Sequence, residues 1–254
     1  MEAKECLSVV MPVYNEEKSI VEIINRVLKQ PEVGELIAVN DGSTDKSFEA
    51  MQVFANNPKV RLLNQPENRG KGAAIIRGFQ EAKCDFVIIQ DADFEYDPSE
   101  YGKILRPLLD DRADVVYGSR FMATPGLVRY FGHEMGNKFL TLLSNIFSDI
   151  HLSDMETCYK CFKREVIQNM KLGSQRFGIE VEMTAKFAKS RALRIWEEPI
   201  SYNPRRYSEG KKITWKDGFA ALWHIIVFNC FTTAENSWHK PWDEVLNKGK
   251  EIEK

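Results

Sequence analysis

Strand-like and helix-like segments alternate through the first half of this chain, and this alternation limits the folds that it can adopt. Short apolar runs are separated by amphipathic stretches, such as 16–29, in which apolar residues recur every three or four positions. The predicted strands are 6–11, 36–39, 60–63, 84–90 and 115–117, and the predicted helices are 16–29, 43 or 44 to 54, 70–82 and 98–109. Such a β-α-β order predicts an α/β fold with a mostly parallel central sheet and helices on both faces.

The second half of the chain has a different pattern. We expect helices at 131–146 and 180–190, short strands at 157–162, 193–196 and 200–202, and a basic loop at 205–212 before a last helix at 219–231. A chain of 254 residues with 43% hydrophobic residues can bury one large core. We therefore predict one domain over residues 1–231, with halves of about 5–120 and 121–231. A charged and loosely ordered tail is expected over 232–254.

Charge and cysteine usage restrict the partners and the compartment. The net charge of -2 gives no overall attraction to nucleic acid, so no nucleic-acid partner is expected. The charged segment Met1–Glu5 does not resemble a signal peptide, and five scattered cysteines are typical of a reducing compartment, so we expect a cytoplasmic protein. The apolar stretch 219–231 is shorter than the about 20 residues that span a bilayer. It is either a core helix or an interfacial helix that makes the protein peripheral on the cytoplasmic face of a membrane.

The stretch Val87–Glu95 carries the strongest indication of chemistry. An apolar run leads into two carboxylates, Asp91 and Asp93, and Glu95 adds a third. Carboxylates this close repel one another unless a cation or hydrogen bonds intervene. Mg2+ is usually bound by one or two carboxylates together with the phosphate oxygens of a substrate. The stretch therefore predicts a metal–diphosphate site, and the alternative is a solvated acidic turn after a strand.

Polar segments also follow other predicted strands. The segment Tyr14–Glu16 follows the first strand, and Asp41 follows the second, where a carboxylate can accept hydrogen bonds from a base or a ribose. The segment Asn68–Gly72 places glycines and Lys71 at a helix start, an arrangement that suits an anionic ligand. In open α/β sheets ligands bind at the carboxyl ends of the strands, so we expect these segments to meet at one edge of the sheet.

Taken together, these segments resemble the family 2 glycosyltransferases of the GT-A fold. The matching segments are Val10–Glu16, Val39–Asp45, Asn68–Gly72 and Gln90–Asp93. The chain is most similar to the branch of polyprenyl-phosphate sugar synthases, such as the dolichyl-phosphate mannose and glucose synthases, through Asp97-Pro98, Gly118–Phe121 and the basic loop. The resemblance covers about residues 5–215. It implies a Rossmann-like GT-A domain and a hexosyltransferase with a UDP- or GDP-linked sugar donor, Mg2+ or Mn2+, and inversion at the anomeric carbon.

The resemblance also implies roles for individual residues. The donor half, about 5–120, would bind the nucleotide through Pro12, Tyr14, Glu16, Asp41, Lys71 and Asp91. The metal would be held by Asp91, Asp93 and Glu95, the last standing where this branch often has glutamine. The acceptor half, about 121–231, would work with basic positions that hold the acceptor phosphate, namely Arg120, Arg206 and Lys212.

Two kinds of acceptor remain open. A polyprenyl phosphate is already ionised near neutral pH and needs a cationic clamp instead of a base. A hydroxyl of a glycan or small molecule, as in cell-envelope polysaccharide synthesis, needs a carboxylate base. Asp154 and Glu156 lie where hydroxyl-using members carry that base, but their segment also resembles the Asp-x-Gln segment of dolichyl-phosphate glucose synthases. The predicted catalytic residues are therefore Asp91, Asp93, Asp154 and Glu156, with the role of the last two undecided.

Overall fold

A computed structural model describes residues 5–122, 131–205 and 215–240 of the protein. Its strands are β1 Leu7–Val13, β2 Val33–Asp41, β3 Val60–Gln65, β4 Phe86–Ile89, β5 Val115–Ser119, β6 Lys160–Lys163 and β7 Ile195–Pro199. Its helices are α1 Ile20–Leu28, α2 Ser47–Met51, α3 Lys71–Glu81, α4 Tyr101–Leu109, α5 Phe131–Ser148, α6 Arg164–Asn169, α7 Gly178–Ser190, α8 Trp215–Cys230 and α9 Ala234–Ser237. Two short 3-10 turns, Gln52–Phe54 and Pro98–Glu100, continue α2 and lead into α4.

The seven strands form one mostly parallel sheet in the order β3-β2-β1-β4-β6-β5-β7. Only β6 runs antiparallel to its neighbours, β4 and β5. Every residue of β1 except Pro12 is buried, as expected for a central strand with helices packed on both faces of its sheet. The predicted α/β fold is therefore confirmed.

The strand order reverses at β1. The chain places β2 and β3 on one side of this strand and then crosses over to place β4 on the other side. Such a reversal opens a crevice outside the carboxyl ends of the two central strands, where open α/β sheets bind their ligands. In this protein the crevice lies beyond Val13 and Ile89.

The first strand is longer than the sequence predicts. We expect it to end before Pro12, since proline cannot donate a ladder hydrogen bond. In the structure Pro12 pairs with Val39 of β2, and β1 ends at Val13. Gln90 N donates to Val10 O, so the backbone polar groups of Val10 face β4. Pro12, two residues further along β1, faces the same way. The pairing of β4 with β1 has already ended there, at Ile89. The missing N–H therefore leaves no partner unsatisfied.

Other predicted boundaries shift for local reasons. The helix expected from Glu16 begins at Ile20, because Glu16 N donates to Ser47 Oγ in a loop contact. The strand expected at 200–202 does not form, and Ser201 N donates to the carboxylate of Glu100 instead. The short helices α6 and α9 are absent from the sequence prediction.

The segment after α8 is ordered over residues 232–240. Thr233 caps α9 by accepting a hydrogen bond from Asn236 N. Trp238 is buried and forms a bridge with Met170, and His239 N donates to Asn169 O. The expectation of a loosely ordered tail is therefore wrong for 232–240, and residues 241–254 lie outside the described part of the chain.

Helices α5 and α8 pack against each other and leave apolar faces exposed. Ala221 and Ile225 on the inner face of α8 are buried in a small cluster with Met155 and Val181. The outer faces carry large exposed apolar residues at helical spacing: Phe131, Met135, Phe139, Leu142 and Ile146 on α5, and Phe219, Trp223 and Ile226 on α8. Thus α8 has one packed face and one exposed face. No helix among the described residues combines the length and hydropathy needed to cross a membrane.

Candidate active site

The loops after β1 and β2 are tied together at the crevice. Asn15 has a left-handed backbone (φ 51°), and its side-chain amide oxygen accepts a hydrogen bond of 2.8 Å from Thr44 N. The Asn15 backbone N–H donates to Ser43 Oγ at 3.1 Å. The predicted nucleotide residues Pro12 and Tyr14 are both half-buried at this edge. The sequence prediction that these segments converge is thus borne out in space.

Asp41 lies at the end of β2 and accepts hydrogen bonds from the backbone at the start of α3. Its Oδ1 accepts from Arg69 N at 2.8 Å and its Oδ2 accepts from Gly70 N at 2.8 Å. The backbone of Gly70 has φ 101°, and a Cβ there would lie 2.5 Å from Gln175 O, so a glycine is required. The sequence predicts an anion near the start of α3. In the structure the carboxylate of Asp41 accepts hydrogen bonds from two backbone amides at this place. A contact between Asp41 and a nucleotide stays a prediction.

Lys71 joins the first half of the chain to the second half. Its ammonium lies 2.9 Å from Asp91 Oδ1 after β4 and 3.3 Å from Glu180 Oε1 in the first turn of α7. Burial lowers the pKa of Lys71, but the negative charges of Asp91 and Glu180 outweigh this effect and raise the pKa well above its ordinary value. Lys71 is therefore a permanent cation. The sequence does not assign Glu180 to the predicted site, because an acid in the first turn of a helix is also typical of a structural residue.

Two acidic residues after β4, Asp93 and Glu95, and Glu16 after β1 surround a cation from the second half of the chain. Arg205 donates to Asp93 Oδ2 through Nη2 and to both Glu16 carboxylate oxygens through Nη1, at 3.0 and 3.1 Å. Glu95 Oε1 accepts from Arg205 N at 2.9 Å, and Glu95 Oε2 accepts from Tyr202 OH at 2.9 Å. The sequence places Arg205 in a basic loop but does not show that it pairs with these acids.

Asp93 is the most perturbed of these carboxylates. It is 5% exposed, and burial is the main cause that raises its pKa to about 7. The negative charges of Asp91 and Glu95 raise it further, whereas Arg205 and the hydrogen bond from Glu95 N oppose the shift. Two carboxylates that repel each other in this way form a site that gains stability from any cation placed between them.

The chemistry of this site suits a hard divalent cation. Asp91 and Asp93 supply carboxylate oxygens at the crevice, and Glu95 lies beside them. Across residues 5–122, 131–205 and 215–240, no three His, Cys, Asp or Glu side chains are arranged as a complete metal site. Mg2+ is usually held by one or two carboxylates with substrate phosphates supplying further oxygens, so the residues present fit such an ion.

Arg120 and Asp154 are brought together as partners of each other. Arg120 Nε lies 2.7 Å from Asp154 Oδ2, and Arg120 Nη2 lies 2.8 Å from Oδ1, so the guanidinium binds the carboxylate in a two-pronged ion pair. The backbone N–H of Arg120 also donates to Oδ2 at 2.9 Å. Asp154 is fully buried, and both of its oxygens are engaged. The other predicted acceptor-phosphate residues, Arg206 and Lys212, lie outside the described residues.

Glu156 lies in the same segment but is bonded differently. Burial, and after it the charge of Glu180, raises the pKa of Glu156 to about 7, against the influence of Lys160 and Arg120. Its buried Oε1 has no hydrogen-bond partner among the residues that the structure describes. Of the two acids that the sequence offers as a base, Glu156 therefore has the available oxygen and the pKa near neutrality.

This fold and site, with a mostly parallel sheet and an acidic crevice at its switch point, agree with the glycosyltransferase class that the sequence segments predict. The chain belongs to the family 2 glycosyltransferases, since residues 8–170 match the sequence model of Glycosyl transferase family 2. The resemblance seen in the four sequence segments is thereby confirmed.

Similar proteins of known name support this membership. The hexosyltransferase Agl6 of low-salt glycan biosynthesis in Haloferax volcanii is 30% identical over 87% of this chain and 53% of its own length. The dolichol-phosphate mannosyltransferase of Pyrococcus furiosus is 26% identical over 86% of this chain and 62% of its own length. A UDP-N-acetylglucosamine–dolichyl-phosphate N-acetylglucosaminyltransferase of Methanococcus voltae is 24% identical over 89% of this chain and 96% of its own length. The chain thus spans little more than half of the first two relatives.

Solved structures show the same fold. Glucosyl-3-phosphoglycerate synthase of Mycobacterium tuberculosis, crystallised with Mn2+, UDP and glucosyl-3-phosphoglycerate, superposes with a TM-score of 0.68. The two chains are 18% identical, and the superposition covers 90% of this chain and 81% of the other. The GT-A fold expected from the sequence is therefore confirmed.

The Arg120–Asp154 pair generates a stability prediction. Arg120→Ala leaves the Asp154 carboxylate buried without its counter-ion, which costs about 3–5 kcal/mol of the free energy of unfolding. Urea unfolding of the variant and the wild type measures this difference. Arg106→Ala is the control, because Arg106 pairs with Asp110 on an exposed helix surface and such pairs contribute about 0–1 kcal/mol. An Arg120 variant as stable as the control would show that the pair is not structural.

Proposed function

We propose that this protein transfers a sugar from a UDP- or GDP-linked donor to a polyprenyl phosphate, with inversion and with Mg2+ or Mn2+. The observation that carries the proposal is the carboxylate pair Asp91 and Asp93 beside Lys71 at the switch point of the sheet. Support for the acceptor comes from the two relatives whose names include dolichol phosphate or dolichyl phosphate. Because the chain covers only part of some relatives, acceptor and donor are proposals for this chain.

The proposed mechanism assigns a task to each side of the crevice. Asp91, Asp93 and Glu95 would hold a divalent cation, which would supply Lewis-acid stabilisation to the departing diphosphate. Lys71 keeps Asp91 ionised through their 2.9 Å ion pair and adds positive charge at the same place. The nucleotide lies at the carboxyl ends of β1 and β2, along Pro12, Tyr14, Glu16 and Asp41. The acceptor attacks the opposite face of the sugar, as inversion requires.

The proposed acceptor needs no base. A phosphate oxygen is already negative near neutral pH, so the protein only has to position it and balance its charge. We place Arg120 beside the acceptor. Its guanidinium carbon lies 5.1 Å from the Tyr202 ring centre, and its guanidinium donates to the Asp154 carboxylate. Arg206 and Lys212 are proposed as further phosphate contacts from the sequence alone. Arg120 then acts beside the phosphate while it remains anchored by Asp154.

The acidic pair is tested by Asp93→Asn, which keeps the size of the side chain and removes its charge. We expect transfer to fall at least about 100-fold, because charge on the leaving diphosphate is no longer stabilised. Labelled product formation from UDP- and GDP-sugars with undecaprenyl or dolichyl phosphate measures the loss and identifies the donor. Asp110→Asn, which changes an exposed carboxylate at the end of α4, is the control. Full activity of Asp93→Asn, or in a chelator, would refute the metal role.

A lipid acceptor requires the enzyme to work at a membrane, and the exposed apolar faces of α5 and α8 support this part of the proposal. Amphipathic helices with aromatic residues on one face bind the boundary between head groups and acyl chains. The faces include Phe131 and Phe139 on α5 and Phe219 and Trp223 on α8. We propose that the sequence-predicted contact through 219–231 is shared by α5, with the protein on the cytoplasmic face.

This contact is tested by Phe219→Ser combined with Trp223→Ser. Both side chains are about two-thirds exposed, at 65% and 64%, so the change should leave the fold intact and lower the fraction bound to vesicles several-fold. Co-sedimentation with phospholipid vesicles is the measurement. Val53→Ser combined with Leu109→Ser removes exposed apolar groups elsewhere and should sediment like the wild type. Equal binding of both double variants would contradict the assignment of this surface.

A second candidate function is transfer to a hydroxyl. It is favoured by Glu156 Oε1, which has no hydrogen-bond partner within residues 5–122, 131–205 and 215–240. With such an acceptor Glu156 must be deprotonated to accept the proton, so the rate should rise as the pH increases through about 7. Glu156→Gln should then lose about 100-fold or more and show no such rise. With a phosphate acceptor, the same variant should stay within a few-fold of the wild type. The pH profile of kcat with each acceptor therefore separates the two functions.

A further inference from the structure

Arg205 is placed among acids from two other parts of the chain. Its guanidinium contacts Glu16, which follows β1, and Asp93, which follows β4, while its Nε lies 3.8 Å from Glu95 Oε1. These contacts join residues that are 189 and 112 positions apart in the sequence. The three carboxylates are at most 15% exposed, so water screens their mutual repulsion poorly.

The guanidinium holds the oxygen that a metal would need. Asp93 Oδ1 accepts a hydrogen bond of 3.0 Å from Glu95 N, which leaves Oδ2 as the oxygen directed to the crevice. Arg205 Nη2 donates to this oxygen. A divalent cation bound there would compete for the same lone pairs, and the positive charges of the metal and the guanidinium would repel each other.

We infer that Arg205 is an internal counter-ion that occupies the cation site of the metal-free protein and that a divalent cation displaces it. The inference rests on the proposed function, because it takes Asp93 as a metal ligand. In the metal-free state the guanidinium keeps the acids of the loops after β1 and β4 together despite their repulsion. Metal binding then exchanges one cation for another, and the affinity for metal is lowered by the strength of the Arg205 contacts.

The inference predicts that removing Arg205 strengthens metal binding. Isothermal titration of Mn2+ into the full chain without nucleotide should give a Kd about tenfold lower for Arg205→Ala than for the wild type, since the competing cation is gone. The thermal midpoint of the metal-free variant should be lower than that of the wild type, because three acids lose their counter-ion. Mn2+ should raise that midpoint more in the variant than in the wild type.

Arg194→Ala is the matched control. Arg194 also binds two carboxylates, Asp111 and Asp114, but at the opposite edge of the sheet, before β5. This variant should also be less stable than the wild type. Its Mn2+ affinity should remain within about twofold of the wild type, and its midpoint should respond to Mn2+ as the wild type does.

Three outcomes overturn the inference. The first is a Kd of Arg205→Ala that is equal to or higher than that of the wild type. The second is no measurable Mn2+ binding by either protein. The third is a crystal structure with Mn2+ bound in which Arg205 still donates to Asp93 Oδ2, which would show that the two cations share the site and that tighter binding comes only from the change in net charge.

Asp93→Ala distinguishes a failure of this inference from a failure of the proposed metal site. If Asp93→Ala binds Mn2+ as the wild type does, Asp93 is not a ligand, and both the metal assignment and the inference fall. If Asp93→Ala loses Mn2+ binding while Arg205→Ala gains no affinity, the metal site stands. In that case Arg205 only stabilises the fold.

Discussion

The site depends on the balance of charge at the carboxyl ends of the central strands. Asp91, Asp93 and Glu95 lie in a stretch of five residues after one strand, and the fold adds Glu16 and Glu180 near them. Buried acids at this density are stable only with cations in direct contact. Lys71 serves Asp91 and Glu180, and Arg205 serves Asp93 and Glu16. The two cations come from different halves of the chain, so the charge balance requires both halves to be folded together.

The same requirement links the first half of the chain to the second half. The start of α3 is held by Asp41 on one side and by the segment before α7 on the other, where Ala73 N donates to Gln175 O. A Cβ on Gly72 would lie 2.1 Å from Ser174 O, so this approach of two backbones depends on glycine. The contact sets Lys71 between Asp91 and Glu180. The glycine-rich segment Asn68–Gly72, whose sequence is typical of an anion-binding loop, therefore also connects the two halves of the chain.

The segment that contains Asp154 and Glu156 shows how the surroundings of a buried acid change its properties. Asp154 and Glu156 are two residues apart, and both are buried. Asp154 forms a two-pronged ion pair with Arg120. Burial, and after it the carboxylate of Glu180, raises the pKa of Glu156 and so stabilises its protonated form. The surroundings of the two acids differ because their partners differ, although the sequence presents them as equivalent candidates for a base.

The class of fold and the sheet edge that carries the candidate site can be predicted from the sequence. Apolar periodicity marks β1 to β5 and α1 to α4 to within a few residues, because burial against a sheet imposes a local pattern. Polar segments directly after β1, β2 and β4 meet at one edge, since parallel strands end at the same side. The pairing of the charges, in contrast, is visible only in the folded protein. The contacts of Arg205 with Asp93, Arg120 with Asp154 and Lys71 with Glu180 join residues far apart in the chain, and such pairs leave no periodic pattern in the sequence.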